Sequence, residues 1–152
     1  MKYYIVGYMC AGKSTYARRL ANEKHLRFID LDIEIERRTG CEIRDLFNNL
    51  GEEAFRQFER EALLETLSPD DVVVSCGGGT PCYFDNMELM NKNGVTRYLK
   101  TPLNTLIHRL NIEREGRPVL ANISGEELRK IVEQQLHDRE KFYMQAQETV
   151  EQ

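Results

Sequence analysis

The octapeptide Gly7-Tyr8-Met9-Cys10-Ala11-Gly12-Lys13-Ser14 fits G-x-x-x-x-G-K-[ST] at every fixed position. Tyr3-Tyr4-Ile5-Val6 precedes it as a short apolar run, and a helical stripe of Ala17, Leu20 and Ala21 follows it. A strand, a glycine-bounded loop and a helix in that order make a phosphate cradle, because loop and helix N–H groups converge on one anion. Backbone amides from Cys10 to Thr15 are the candidate phosphate ligands. Gly12 permits close backbone approach, Lys13 is placed to reach β- and γ-phosphates, and the Ser14 hydroxyl can ligate Mg²⁺.

Outward from that loop the pattern repeats. Phe28-Ile29-Asp30-Leu31, Val72-Val73-Val74-Ser75-Cys76, Val95 to Leu99 and Thr149-Val150 read as four further strands. Continuous rather than alternating apolar residues predict a parallel sheet covered on both faces. Helical periodicity fills the gaps, with Phe55, Phe58 and Ala62 forming one stripe and Leu103, Leu106, Ile107 and Leu110 another. Thr101-Pro102 reads as a helix start, and Ser124-Gly125-Glu126-Glu127 as a capping box. The expectation is one three-layer α/β/α domain over residues 1–152 with a five-stranded parallel sheet, and the family resemblance drawn below implies the order 2-3-1-4-5.

Composition narrows the partners. The 152 residues are 41% hydrophobic and 30% charged, with a net charge of −4. A chain of this length buries roughly 68–70% of its unfolded surface and needs no disulfides. The net charge argues against a nucleic-acid binder. No apolar run approaches the ~18–20 residues of a spanning helix, so no membrane partner is expected. Cys10, Cys41, Cys76 and Cys82 form no CxxC pair, and no histidine completes a zinc spacing. Reduced thiols in a cytoplasmic monomer are the expectation. A GTPase would need N-K-x-D, and Asn91-Lys92-Asn93-Gly94 lacks the aspartate and precedes a strand. The length excludes motor and transport ATPases, which leaves a compact kinase of a small acceptor.

The acceptor side is carried by several clusters. Asp30 and Asp32, at i and i+2 on a strand end, would point to one side of the sheet edge, where one can hold Mg²⁺ and the other an acceptor hydroxyl. Taken alone, D-x-D is a weak signal, and a pair of solvated turn acids is the competing reading. Gly77-Gly78-Gly79, after the strongest strand, would let a ligand lie against bare backbone. Arg139 falls on the apolar stripe of the last helix, with Leu128, Val132, Leu136, Phe142 and Tyr143, so it faces an anion. Arg56 flanks Phe55 in the same manner, although Glu52, Glu53 and Glu59 are within i,i+3 and i,i+4 reach. Two such arginines suit a planar carboxylate. Glu113 to Pro118 interrupts two helices and reads as a lid over about residues 112–123, bringing Arg117 onto the transferring phosphate.

Together these residues resemble the shikimate kinase family over essentially the whole chain. The family pattern is a P-loop, a D-x-D ending the second strand, a Gly-Glu turn before Phe-Arg, a G-G-G, an R-P-L lid and a late arginine. Here these are Gly7 to Ser14, Asp30 and Asp32, Gly51-Glu52 with Phe55-Arg56, Gly77 to Gly79, Arg117-Pro118-Val119-Leu120 and Arg139. The resemblance implies ATP-dependent phosphorylation of shikimate to shikimate 3-phosphate, a step of aromatic amino acid biosynthesis. By resemblance Ser14 and Asp30 belong with Mg²⁺, and Lys13 and Arg117 with the phosphates. Asp32, Arg56, Gly78 and Arg139 belong with shikimate, Arg109 with adenine, and Phe47 and Phe55 with the acceptor pocket, in a helical region about residues 32–62. The competing readings are a kinase of another hydroxy acid such as gluconate and a non-catalytic nucleotide-binding module. Two departures stand out. Family P-loops commonly place glycine where this chain has Cys10, and the family pattern runs past the fifth strand into an adenine-contacting loop and a final helix.

Overall fold

The computed structural model describes residues 1–115 and 124–152. Five strands, β1 (Lys2–Val6), β2 (Arg27–Asp30), β3 (Val72–Ser75), β4 (Val95–Lys100) and β5 (Glu148–Glu151), form one sheet in the order β2-β3-β1-β4-β5. Every pairing is parallel, as the continuous apolar runs require. Each residue of β3 is buried, as are Tyr3 to Val6 of β1. β5, on the edge, is largely exposed.

The helices are α1 (Lys13–Lys24), α2 (Leu31–Thr39), α3 (Ile43–Glu65), α4 (Asn86–Asn93), α5 (Leu103–Glu115) and α6 (Gly125–Tyr143). Ala17, Leu20 and Ala21 bury one face of α1, while Leu128, Val132 and Tyr143 bury a stripe of α6. Ser124 caps α6 by accepting a hydrogen bond from the Glu127 N–H at 3.1 Å. The Thr101 hydroxyl, just before α5, lies 3.4 Å from the Ala11 carbonyl and ties the start of that helix to the phosphate loop. Gly51, at φ 85° and ψ 170°, breaks α3 into two arms. The second arm carries Phe55, Arg56, Glu59, Ala62 and Leu63, all buried.

One expectation needs correction. The strand carrying the D-x-D ends at Asp30, and Leu31 already begins α2. The two aspartates therefore converge because Asp30 is a helix N-cap, not because they alternate along a strand. Asp30 Oδ1 accepts from the Asp32 and Ile33 N–H groups at 3.0 and 3.3 Å. The register sets Asp30 beside Ser75, and Ser75 beside Ile5, so the ends of β2, β3 and β1 open onto one edge. Among the described residues, no helix is long and apolar enough to cross a membrane.

Candidate active site

The phosphate loop runs from the end of β1 into α1. Gly12 adopts φ 90° at the helix N-terminus, a left-handed turn that glycine makes at no steric cost. Lys13 is buried, and its Nζ donates to the Gly7 and Tyr8 carbonyls, both at 2.8 Å. Burial pulls its ammonium down to about 8, with Asp32 acting in the opposite sense. Ser14 Oγ donates to Asp30 Oδ2 at 3.0 Å and lies 3.4 Å from Ser75 Oγ. Thr15 is exposed on the first turn of α1. Arg109 reaches across from α5 and donates to the Cys10 carbonyl at 2.8 Å. Cys10 itself is left-handed, at φ 65°. That backbone state explains why a glycine is at home at this position.

Asp32 sits beside the loop. Its carboxyl is pushed up to about 6, first by desolvation and then by the charges of Asp30 and Glu59, against the pull of Lys13. It accepts no hydrogen bond from the described residues.

A cavity of about 630 Å³ opens next to the loop residue Met9. Phe47, Arg56 and Arg139 line it, together with Glu52, Tyr83 and Gln135. Arg56 is held there from α3. Its Nη1 donates to Glu59 Oε1 at 2.9 Å and its Nε to Glu52 Oε1 at 3.4 Å. Of the three intrahelical pairings raised by the spacing, those with Glu52 and Glu59 exist, and the arginine is buried nonetheless. Arg139 projects from α6 with its guanidinium carbon 6.0 Å from the Tyr8 ring centre. Phe55, expected in the pocket lining, lies behind it instead. It is buried and stacks on Phe47 with ring centres 4.5 Å apart, because the helical stripe turns it toward the core.

The three glycines also make room for the protein's own side chains. A Cβ on Gly77 would stand 3.1 Å from Asp32 Oδ1, one on Gly78 3.2 Å from Arg139 Nη1, and one on Gly79 2.6 Å from Arg56 Nη2. Each glycine thus makes room for charged side chains of the protein, Gly77 for Glu59 and the Thr80 hydroxyl as well as Asp32. None of the three lines the cavity itself.

Sequence reasoning missed several contributors. Glu59, fully buried, also accepts from Thr80 Oγ1 at 2.8 Å and so links α3 to the turn after the glycines. Its i,i+3 spacing from Arg56 was visible, but not that both point inward. Tyr143 donates to the Gly78 carbonyl at 2.5 Å, and Tyr8 to Gln135 Oε1 at 2.5 Å. Tyr83 stacks on Arg56 from a segment without regular pattern. Arg117 and most of the expected lid lie outside the described residues.

The donor set at Ser14 and Asp30 is a hydroxyl and a carboxylate, hard oxygens that suit Mg²⁺. Among the described residues no cluster of three or more acidic, histidine or cysteine side chains forms a metal cage.

Comparison with known proteins reaches the same region of chemistry. The family model described as shikimate kinase matches residues 9–152. A shikimate kinase of Parabacteroides distasonis is 48% identical over 94% of this chain and 83% of that protein. The crystal structure of shikimate kinase from Bacteroides thetaiotaomicron superposes with a TM-score of 0.93 at 40% identity, covering 99% of this chain and 86% of that one. The structure of the Acinetobacter baumannii shikimate kinase in complex with shikimate gives 0.88 at 34% identity, with coverages of 99% and 83%.

Proposed function

The chain belongs to the shikimate kinase family, and on that premise we propose that it transfers the γ-phosphoryl group of ATP to the 3-hydroxyl of shikimate. The observation that carries the acceptor assignment is the cavity beside the P-loop with Arg56 and Arg139 in its wall. Two guanidinium groups there suit one planar carboxylate.

In this reading the amides of Cys10 to Thr15 hold the phosphates, and Lys13 exchanges its two loop carbonyls for β- and γ-phosphate oxygens. Arg109, already seated on the loop, lies against the nucleotide, and Arg117 adds a cation over the transferring group. Ser14 and Asp30 would hold Mg²⁺. Bound there, the ion supplies charge neutralisation on the β- and γ-phosphate oxygens. Arg56 and Arg139 fix the acceptor carboxylate, and Phe47 walls the pocket. Residues about 32–62 then form the acceptor-binding region, with 112–123 as the lid.

Asp32 receives the reacting hydroxyl. The hydroxyl oxygen forms a bond to Pγ, the bond from Pγ to the β-phosphate bridging oxygen breaks, and ADP departs with that electron pair. The hydroxyl proton passes to the Asp32 carboxylate. A carboxyl displaced to about 6 is still ionised at neutral pH, yet accepts a proton more readily than an ordinary aspartate. Positioning and charge neutralisation carry the rest.

The test is coupled ADP release with Mg-ATP and a panel of hydroxy acids. Shikimate should be turned over at ~1–100 s⁻¹, the range common to kinases. Turnover of gluconate with none of shikimate overturns the acceptor assignment, and nucleotide binding without any ADP release would identify a non-catalytic module.

A further inference from the structure

Tyr83 is a wall residue of the acceptor cavity to which neither the phosphate loop nor the arginine pair assigns a task. It follows a short 3-10 turn, Thr80–Cys82, and is half-buried. The Arg56 guanidinium carbon lies 4.1 Å from its ring centre, against 5.1 Å for Phe55 and 5.9 Å for Phe47. The Tyr83 hydroxyl donates to Glu52 Oε1, the same oxygen that Arg56 Nε reaches at 3.4 Å. Ring, carboxylate and guanidinium therefore close a triangle at the cavity wall.

The remaining edges of Arg56 show what this triangle leaves open. Nη1 is taken by Glu59, Nε is only loosely engaged by Glu52, and Nη2 has no hydrogen bond to a described residue. With its face covered by an aromatic ring, a guanidinium can engage ligands only along its rim. The Nε–Nη2 rim is the fork a planar carboxylate can take in a bidentate manner. Glu52 competes for that rim, and its carboxyl is held below the usual range, first by the Tyr83 hydroxyl. A Glu52 displaced from Nε keeps that hydroxyl as its partner.

The segment bearing Tyr83 is itself fastened to α3. Thr80 Oγ1 donates to Glu59 at 2.8 Å, and Arg60 Nη1 lies 2.7 Å from Asp85 and 2.6 Å from Asn86. Glu52, Arg56, Glu59 and Arg60 share one face of that helix. The segment carrying the ring is thus tied by side-chain bonds to the helix carrying the arginine it covers.

We propose that Tyr83 is a positioning residue for the acceptor: it covers the Arg56 guanidinium face, draws Glu52 aside and so presents the Nε–Nη2 rim to the acceptor carboxylate. This rests on the cavity being the shikimate site.

The test compares wild type, Tyr83→Phe and Tyr83→Leu on shikimate and on its methyl ester, which lacks the carboxylate charge. Losing the stacked ring should raise KM for shikimate about five- to thirtyfold in Tyr83→Leu, the span of exposed to desolvated cation–π contacts. KM for ATP should stay within about twofold, and Tyr83→Phe, which keeps the ring but frees Glu52 from the hydroxyl, should raise the shikimate KM less than Tyr83→Leu, by about threefold. On the methyl ester, Tyr83→Leu and wild type should be alike. Should the leucine variant not fold, Tyr83→Met keeps bulk without an aromatic face and must show the same split. A wild-type shikimate KM in these variants, or an equal loss for ATP and both acceptors, overturns the proposal. A wild type that leaves shikimate untouched overturns the functional reading, and this inference with it.

Discussion

Glu59 Oε1 and Arg56 Nη1 lie 2.9 Å apart with side-chain exposures of 1% and 9%, a charge pair within a helix and yet inside the protein. The second oxygen of Glu59 holds Thr80. Removing such a carboxylate leaves a buried cation and a hydroxyl short of partners.

Glu59→Ala is accordingly expected to cost about 3 kcal/mol of stability, read by urea unfolding, at the low end for breaking a buried pair because Glu52 remains. Acceptor KM should rise in parallel, since Arg56 loses its brace, while ATP KM stays close to wild type. Glu59→Gln keeps two hydrogen-bonding ends and should lose less. Unchanged unfolding of the alanine variant would mean the pair contributes nothing to the fold.

Gly79→Ala and Gly125→Ala should separate cleanly. An added Cβ at Gly79 would meet Arg56 Nη2 at 2.6 Å, whereas nothing lies within 4 Å of one at Gly125. Pushing the guanidinium off its rotamer costs ~1 kcal/mol, so acceptor KM should rise about fivefold for Gly79→Ala. Gly125→Ala, at the start of α6, should be neutral or stabilising by ~0.5 kcal/mol. Steady-state kinetics and thermal melts on both variants check this, and equal acceptor KM values would contradict the steric reading of the glycine run.

Asp32→Asn should trade activity for stability. The folded state raises this carboxyl from 3.8 to about 6 and so binds its proton more tightly than the unfolded chain. The penalty for ionised Asp32 is absent below the lower value, grows between the two, and is complete above the higher one. It is worth at most ~3 kcal/mol. The asparagine variant should be more stable than wild type at pH ~8, with the gap closing toward pH ~4. Its kcat should fall ~10²-fold or more. In wild type, kcat/KM for the acceptor at low ATP should decline below pH ~6. A variant with full kcat would remove Asp32 from the chemical step.

Cys10→Gly addresses a strained loop position. A left-handed φ of 65° costs an L-residue roughly 1–2 kcal/mol, against ~0.5–1 kcal/mol of extra chain entropy for glycine. A net gain of ~0.5–1 kcal/mol is expected, or ~2–4 °C in Tm at the upper figure. A lower melting temperature would show that the thiol's packing against the core outweighs the strain.

Much of the fold was open to sequence reading because the signals were local. Three consecutive valines mark a strand buried on both faces, and the glycine-lysine-serine run marks the strand-to-helix turn beside it. Arg139 was legible from helical phase alone, since it shares a stripe with Leu136 and Tyr143. The Asp30–Asp32 pair was found, but for the wrong geometric reason. An aspartate that ends a strand is also a strong helix cap, and capping prevailed over strand alternation. Glu59 and Tyr83 remained hidden because their roles depend on two segments meeting. Neither the inward turn of a glutamate nor the stacking of a tyrosine from an irregular segment leaves a periodic trace.

The parallel register also bears on how the protein comes off the ribosome. β1 lies between β3 and β4, with Tyr3 beside Val73 on one side and Val95 on the other. At about 5–20 residues per second, β4 follows β1 by roughly 5–20 s. Through that interval an apolar strand followed by the complete phosphate-loop sequence has at most one neighbouring strand. Such long-range closure favours slow folding and exposes the unpaired edge to other chains. A nascent chain halted before Val95 therefore carries every residue of the phosphate loop, yet lacks the second strand needed to hold that loop in place.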